Sequence, residues 1–177
     1  MQISNEYSFI HYAIPKTASQ SSWRTFSKYV DVFGIDDCNS LIYHHAIPSE
    51  DLPEYKTYFK FCFVRNPWDR LVSHYFYNRS TYGESFEDFV INFKAEYFLQ
   101  PQYKWYSGVD YIARYEKYNE ELQNIFSIVG ISDKPVIWNI NPTVHDDYKK
   151  YYTDKLALVV YEKYKKDINE LGYEFDD

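Results

Sequence analysis

The chain has 177 residues, of which 45 % are hydrophobic and 21 % aromatic, and its formal net charge is −7. This length and composition indicate one globular domain over residues 1–177 with a core of its own, and they exclude a disordered chain. The negative charge argues against nucleic acid or an anionic membrane as a partner, because both bind basic surfaces. An anionic ligand therefore needs a local basic pocket.

No apolar stretch reaches the length of a membrane span, and residues 1–6 lack the basic and apolar regions of a signal peptide. We therefore expect a cytoplasmic protein that does not act at a membrane. The two cysteines, Cys38 and Cys62, lie far apart in sequence, so a disulfide is allowed but not implied. Neither has a histidine or a second cysteine at metal-ligand spacing, and we expect no metal site.

The first part of the chain predicts a strand, a polar loop and a helix. Residues 7–14 are β-prone and end at Pro15, and residues 16–22 form a loop rich in hydroxyl groups. Apolar residues that recur at steps of three to four predict the helix, and Gly34 is predicted to end it. Those apolar residues are Trp23, Phe26, Val30 and Phe33.

This order is the plan of a phosphate-binding loop. Backbone N–H groups, the helix dipole and the charge of Lys16 would converge on one anion. The loop is not a Walker A sequence, because it lacks the glycines and its lysine comes first. For the loop alone, a polar turn with an exposed lysine stays an equal alternative.

Paired histidines end the next apolar run. A general base for a hydroxyl group should have a pKa near neutrality, which His44 or His45 offers without a large perturbation. If the segment is extended, the two side chains point to opposite sides. A surface histidine without a catalytic role is the alternative.

Residues 59–73 predict a buried strand that leads into a helix. Asn66 suits the N-cap and Pro67 the first helical position, which leaves Arg65 at the carboxyl end of the strand beside a helix N-terminus. Anions bind at such positions in open α/β sheets. Ser73 falls on the polar face of this helix, where an ordinary solvated serine is the alternative.

Two motifs now resemble a known family. The first is Pro-Lys-Thr-Ala after a strand at residues 15–18, and the second, about fifty residues later, is Phe-Val-Arg-Asn-Pro-Trp-Asp-Arg-Leu-Val-Ser at residues 63–73. Together they resemble the sulfotransferases that use 3′-phosphoadenosine 5′-phosphosulfate (PAPS), in particular the carbohydrate branch and its small bacterial relatives. The likeness extends to residues 111–116 and 148–175. It implies a single α/β domain of three layers, with a mainly parallel central sheet flanked by helices, in a P-loop-like sulfotransferase fold.

The resemblance also implies ligands and roles. The first loop would hold the 5′-phosphosulfate with Lys16 at the bridging oxygen, Arg65 and Ser73 would hold the 3′-phosphate, and no metal would take part. His45 matches the base of the carbohydrate branch best. The donor-binding loop comprises Lys16, Thr17, Ala18, Ser19, Gln20, Ser21 and Ser22.

The loop departs from the family at two positions. The family usually has Gly and Thr where this chain has Ser19 and Gln20. A residue with a Cβ is less free to take a positive φ and hinders close approach of the backbone to a phosphate, which would weaken nucleotide binding. Alternatively, the hydroxyl groups of Ser19, Ser21 and Ser22 replace the missing threonine. The sequence leaves both alternatives open.

The rest of the chain predicts supporting elements: a helix over 84–95, a strand over 110–115, a helix over 119–129 and a last helix that Thr153 caps. Segment 98–106 suits a loop over a cleft, or equally a packed loop. We assign Gln102 and Trp105 of this segment, with His44, to contacts with a sugar acceptor. Relatives carry a flexible segment near residues 140–150, where Lys149 and Lys150 would close over the nucleotide or would begin a solvated helix.

The expected function is in-line transfer of a sulfuryl group from PAPS to an acceptor hydroxyl on a carbohydrate, which leaves the 3′,5′-bisphosphate. Two alternatives remain. One is a non-catalytic nucleotide- or glycan-binding protein on a drifted fold, and the other is a P-loop kinase, for which the glycines are missing. The sequence does not indicate an oligomeric state.

Overall fold

The computed structural model describes residues 1–33, 45–47, 50–78, 85–95 and 97–177. The chain divides into two compact units. The first comprises Met1–Val64 and Lys104–Asn141, and the second comprises Arg65–Tyr103 and Pro142–Asp177. Gly34, Cys38 and His44 lie outside the described residues, so the predictions made for them have no structural counterpart.

The first unit contains a five-stranded sheet, in the order β3-β1-β2-β4-β5. Its strands are β1 (Gln2–Ser4), β2 (Phe9–Tyr12), β3 (Val32–Phe33), β4 (Phe59–Val64) and β5 (Tyr111–Arg114). Strand β4 pairs in parallel with β2 and β5, whereas β1 pairs antiparallel with β2 and β3. All strands except β1 therefore run in one direction, which confirms the predicted α/β class with a mainly parallel sheet.

The register brings the ends of three parallel strands to one edge of the sheet. Tyr12 at the end of β2 lies opposite Cys62, and Val64 at the end of β4 lies opposite Arg114 at the end of β5. The polar loop that begins at Lys16 leaves the sheet at this edge. Ligands of open α/β sheets bind outside the carboxyl ends of the strands, so this edge is where a site is expected.

Two helices, α1 (Ser19–Phe26) and α5 (Tyr118–Ile128), cover one face of the sheet. Side chains at alternate positions of β2 and β4 meet them, as the pleat of a strand requires. The ring of Phe26 lies 5.6 Å from Phe9, 5.1 Å from Phe61 and 5.5 Å from Phe126. The buried cluster comprises Phe9, Phe26, Tyr29, Phe61, Phe63, Ala113, Leu122, Ile125, Phe126 and Ile131.

The predicted length of the first helix is wrong. Helix α1 ends at Phe26, and residues 32–33 form the edge strand β3 beside β1 instead of a last helical turn. The N–H of Asp31 already donates to the carbonyl of Ile3 at 2.9 Å, which directs the chain into the sheet. Tyr29 and Val30 still pack on the core from the turn, so the helical spacing of apolar residues continued past the end of the helix.

The second unit is mainly helical. It contains three helices, α2 (Pro67–Tyr77), α3 (Phe86–Asn92) and α6 (Asp154–Leu171). The short helix α4 (Tyr103–Tyr106) spans the boundary between the units, since Tyr103 belongs to the second unit and Lys104 to the first. Helix α2 packs on α6, where the indole Nε1 of Trp68 donates to the carbonyl of Ala157 at 2.9 Å. Ring contacts of Phe86, Phe89 and Phe93 line α3, as its apolar stripe predicts.

Side-chain caps fix the beginnings of these helices. The side chain of Asn66 accepts the N–H of Trp68 at 3.0 Å, and the hydroxyl of Thr153 accepts the N–H of Leu156 at 3.3 Å. Gly172 ends α6 in the left-handed conformation, with φ of 65°. The predicted caps at both helix starts are confirmed. None of the helices in the described part of the chain has the length and apolar character needed to span a bilayer.

Candidate functional site

The loop between β2 and α1 has an unusual backbone. Lys16 and Ala18 both adopt the left-handed conformation, with φ of 68° and 62°. Residues with a Cβ avoid this region at a cost of about 1 kcal/mol or more each, and such strain gathers at ligand sites. Ala18 is also the N-cap of α1 and makes no side-chain cap. The first N–H groups of α1 therefore offer a dipole and donors to an anion.

Ser19 causes no strain in this loop. It is the first residue of α1, and the positive φ values fall on Lys16 and Ala18 instead. The loss of the family glycine therefore costs nothing in backbone conformation. The second effect of the substitution is steric: the Cβ of Ser19 would still hinder the approach of a phosphate to the backbone.

Internal hydrogen bonds occupy most hydroxyl groups of the loop. The hydroxyl of Thr17 donates to the carbonyl of Ile14 at 2.9 Å, and that of Ser22 lies 3.1 Å from the carbonyl of Ser19. The hydroxyl of Ser21 accepts the N–H of Ile140 at 3.1 Å. These bonds shape the loop and hold segment 136–140 beside α1.

At the two positions that depart from the family, the side chains make no hydrogen bond to any described residue. Neither Ser19 nor Gln20 makes a side-chain hydrogen bond within the described ranges, and the Ser19 side chain lies at the start of α1, 7 % exposed. A hydroxyl at this position is therefore available to a ligand. The sequence alone did not separate Ser19 from its neighbours Ser21 and Ser22.

His45 lies beside the same loop. Its Nδ1 donates to the main-chain carbonyl of Ala13 at 2.5 Å, at the end of β2 and three residues before Lys16. A carbonyl can only accept, so Nδ1 carries the proton and the lone pair of the neutral ring is on Nε2. The main-chain carbonyl of His45 in turn accepts the indole N–H of Trp105 at 3.0 Å. The structure thus brings His45, Trp105 and the loop together in the first unit.

In the second unit, Arg65 is 7 % exposed and sits directly before the N-cap of α2. Its Nε donates to the carboxylate of Asp69 at 2.7 Å, one helical turn further on. This pair orients the guanidinium by a charge-assisted hydrogen bond. Sequence reasoning missed Asp69, although its spacing of four from Arg65 is the signal for such a pair.

Ser73 is buried, not solvated, with 4 % of its surface exposed. Its hydroxyl lies 3.4 Å from the hydroxyl of Thr143. Thr143 was missed as a candidate, although the segment 140–150 was predicted to lie near the nucleotide. In that segment, Lys149 donates to the carbonyl of Asp176 at 2.6 Å and Lys150 lies 3.5 Å from Asp146.

Gln102 is fully buried in the second unit. Its amide oxygen accepts the main-chain N–H of Arg65 at 2.9 Å, and its amide nitrogen donates to the carbonyl of Arg65 at 2.8 Å. Both ends of the amide therefore bind the main chain of the predicted anion-binding arginine. Within the described ranges, no group of three or more histidine, cysteine, aspartate or glutamate residues is placed to hold a metal ion.

The arrangement is that of an α/β protein in which a loop with two left-handed residues connects a strand to a helix at the carboxyl edge of the sheet. A family model described as the sulfotransferase family matches residues 1–174. The chain therefore belongs to the sulfotransferase family, which confirms the resemblance of its motifs. An uncharacterized protein of Archaeoglobus fulgidus is 31 % identical over 104 residues, which cover 84 % of that protein and 52 % of this chain. No solved structure gives a significant match.

Proposed function

We propose that this sulfotransferase moves a sulfuryl group from PAPS to an acceptor hydroxyl, and that the acceptor is a carbohydrate. The observation that carries the proposal is the loop at Lys16, where left-handed residues lead into a helix start without a side-chain cap. Such a loop presents N–H groups and a lysine to a phosphate-like group. Family membership supplies the sulfuryl transfer, and the donor, the acceptor and the base are parts of the proposal.

The donor would bind through two sets of residues. Lys16, Thr17 and Ala18 with the start of α1 would bind the 5′-phosphosulfate, largely through backbone N–H groups. Ser19 and Gln20 would add side-chain donors, since no described residue engages them, and Ser21 and Ser22 would shape the loop. Arg65 and Ser73 would bind the 3′-phosphate, with the guanidinium held by Asp69.

In the reaction, an acceptor oxygen would attack the sulfur while the bond from sulfur to the bridging oxygen of the 5′-phosphate breaks. His45 would take the proton of the acceptor hydroxyl on Nε2, because Nδ1 already donates its proton to Ala13. Lys16 would stabilise the charge that develops on the leaving phosphate oxygen. The products are a sulfate ester and the 3′,5′-bisphosphate, and no metal is part of this step.

Acceptor contacts by His44, Gln102 and Trp105 stay predictions. The hydrogen bonds of Trp105 and Gln102 favour supporting roles, since the first holds His45 and the second holds Arg65. We further propose that residues 1–177 act as one sulfotransferase-like domain, since the family model runs across both units. A cytoplasmic location is likewise a proposal, which cell fractionation tests.

A thermal-shift titration tests the donor. We expect the 3′,5′-bisphosphate to raise the melting temperature, and ATP with Mg²⁺ to raise it far less at equal concentration. A shift with ATP and Mg²⁺ alone would contradict the proposal and favour a kinase. Arg65→Met is the matched variant, because it should reduce the shift given by the bisphosphate and leave a weak response to adenosine 5′-monophosphate unchanged.

A consumption assay for the donor tests catalysis. PAPS is incubated with polysaccharides, small glycans, lipids and tyrosine peptides, and release of the bisphosphate is measured. We expect acceptor-dependent release with a glycan. Release with lipid or peptide only would contradict the carbohydrate acceptor, and bisphosphate binding with no release on any acceptor class would favour the non-catalytic alternative.

A further inference from the structure

The amide of Gln102 holds the main chain of Arg65 at both its N–H and its carbonyl group. We propose that Gln102 and Asp167 are positioning residues that set Arg65 for selection of the 3′-phosphate. This inference rests on the proposed role of Arg65 in donor binding. It assigns to two buried residues a specific effect on which nucleotide is bound, beyond their contribution to stability.

The contact between Gln102 and Arg65 has the geometry of a paired strand, although one partner is a side chain. The two bonds, of 2.9 and 2.8 Å, fix the peptide groups on both sides of the Arg65 Cα. Gln102 itself is 0 % exposed, so water does not compete for either bond. The position and direction of the Arg65 side chain are thereby tied to residue 102.

Asp167 fixes Gln102 in turn. Its carboxylate accepts the N–H of Gln102 at 2.6 Å and the N–H of Tyr103 at 2.8 Å. Asp167 is also 0 % exposed, and a buried carboxylate needs such donors to replace its lost hydrogen bonds to water. The buried guanidinium of Arg70 interacts electrostatically with this carboxylate. Asp167 in α6 thus controls Arg65 through a single intermediate residue.

The far end of Arg65 is anchored as well. Its Nε is bound by Asp69, and the next residue, Asn66, caps α2. With the main chain held by Gln102 and the guanidinium by Asp69, the side chain has few alternative rotamers. A phosphate group gains most from an arginine whose donors are already oriented, because less side-chain entropy is lost on binding.

The same buried region contains bonds that do not reach Arg65. The hydroxyl of Tyr164 donates to the carbonyl of Leu99 at 2.6 Å, and Arg70 donates to the carbonyls of Phe98 and Gln100 at 2.8 and 2.9 Å. These bonds hold the segment that precedes Gln102. They provide a control for loss of stability without a direct effect on the Arg65 main chain.

The test compares two nucleotides that differ only in the 3′-phosphate. Dissociation constants for the 3′,5′-bisphosphate and for adenosine 5′-monophosphate are measured by calorimetry on the full chain at a temperature where every variant is folded. Their ratio measures recognition of the 3′-phosphate, and Arg65→Met gives the ratio expected when this recognition is lost. The variants are Gln102→Ala, Gln102→Glu and Asp167→Asn, with Tyr164→Phe as the control.

We expect Gln102→Ala to lower the preference for the bisphosphate about tenfold, since two buried hydrogen bonds are lost. Gln102→Glu should have a similar effect, because its carboxylate can accept the Arg65 N–H but repels the Arg65 carbonyl. Asp167→Asn should lower the preference less. Tyr164→Phe should lower the melting temperature and leave the preference unchanged.

Two results would overturn the inference. If both Gln102 variants keep the wild-type preference while Arg65→Met loses it, Gln102 is only a structural residue and the proposed donor site stands. If the wild type shows no preference for the bisphosphate, both the donor site and this inference are wrong. Should Gln102→Ala fail to fold, the Gln102→Glu and Asp167→Asn variants give the same decision.

Discussion

The imidazole of His45 donates from Nδ1 to the main-chain carbonyl of Ala13, three residues before Lys16. This one bond places the proposed base beside the loop proposed to bind the leaving phosphate. It also selects the tautomer, because the proton on Nδ1 leaves the lone pair on Nε2 for an acceptor hydroxyl. The carbonyl of the same histidine is held by Trp105, so the segment is fixed from two directions.

Replacement of His45 by alanine should lower kcat about 100- to 10,000-fold, the range for loss of a general base. The dissociation constant of the bisphosphate should change little, because His45 acts on the acceptor. Stopped assays with saturating donor measure the first and calorimetry measures the second. His145→Ala is the matched control, since that ring stacks on Phe76 in the second unit. Near-normal turnover of His45→Ala would refute the base assignment.

Replacement of Lys16 by methionine removes the charge and keeps most of the apolar side chain. We expect kcat to fall about 100- to 1,000-fold, as when a donor to a developing oxyanion is removed. Because the backbone N–H groups remain, bisphosphate affinity should fall less than kcat. Lys134→Met changes an exposed lysine of the same unit and should leave both quantities unchanged. A loss of bisphosphate affinity with unchanged kcat would show that Lys16 contributes binding only.

Variants of Ser19 test whether serine in place of the family glycine strengthens or weakens binding of the donor. If its hydroxyl binds the donor, Ser19→Ala and Ser19→Gly should both weaken bisphosphate binding, by about 10- to 150-fold for one hydrogen bond to a charged group. If its Cβ hinders the phosphate, Ser19→Gly should bind more tightly than the wild type. The Ser19 side chain makes no hydrogen bond to another residue in the described part of the chain, which favours the first result. Ser22→Ala, which removes an internal hydroxyl bond of the same helix, controls for loss of stability.

A surface cluster should give an acid-dependent part of stability. The carboxylate of Asp133 accepts from Lys28 at 2.7 Å and from the hydroxyl of Tyr29 at 2.8 Å, and these bonds lower the pKa of Asp133. Because the pKa of Asp133 is lower in the folded protein, its bonds contribute fully to the free energy of unfolding above the pKa of the unfolded chain, about 3.9. This contribution disappears as the pH falls through the pKa of the folded protein.

Asp133→Asn should therefore melt below the wild type near pH 7, and the difference should shrink as the pH falls below about 4. Melting curves between pH 3 and pH 8, measured by circular dichroism, test this. Glu162→Gln, which removes an exposed surface carboxylate in the second unit, is the control. A difference that persists unchanged at pH 3 would show that Asp133 does not act through its charge.

The sequence predicted well where local chemistry decides the structure. Asn66 and Pro67 defined the start of α2, and Thr153 defined that of α6. The buried β4 was predicted from its apolar run. The end of α1 was predicted wrongly. Val30 packs on the core from a turn, and its spacing of four residues from Phe26 is the same as in a helix.

The candidate site was predicted in part for a similar reason. Lys16 and Arg65 stand in recognisable motifs, and Asp69 lies only four residues from Arg65. The other groups that hold Arg65 and His45 are distant from them in sequence. The carbonyl of Ala13 that fixes His45 carries no sequence signal at all. Gln102 lies 37 residues from Arg65, and Asp167 lies 65 residues from Gln102, so only the fold reveals the hydrogen bonds that connect them.

Each unit of the chain is assembled from two separate stretches, and this order has a consequence for synthesis. Strand β5 belongs to the first unit but follows residue 104, so that sheet cannot be completed until well over half of the chain has left the ribosome. Packing of the second unit is completed still later, since α2 packs on α6, which follows residue 153. Such distant pairings slow folding and expose the aromatic β4 meanwhile. The nascent protein is therefore expected to depend on chaperones until α6 has been made.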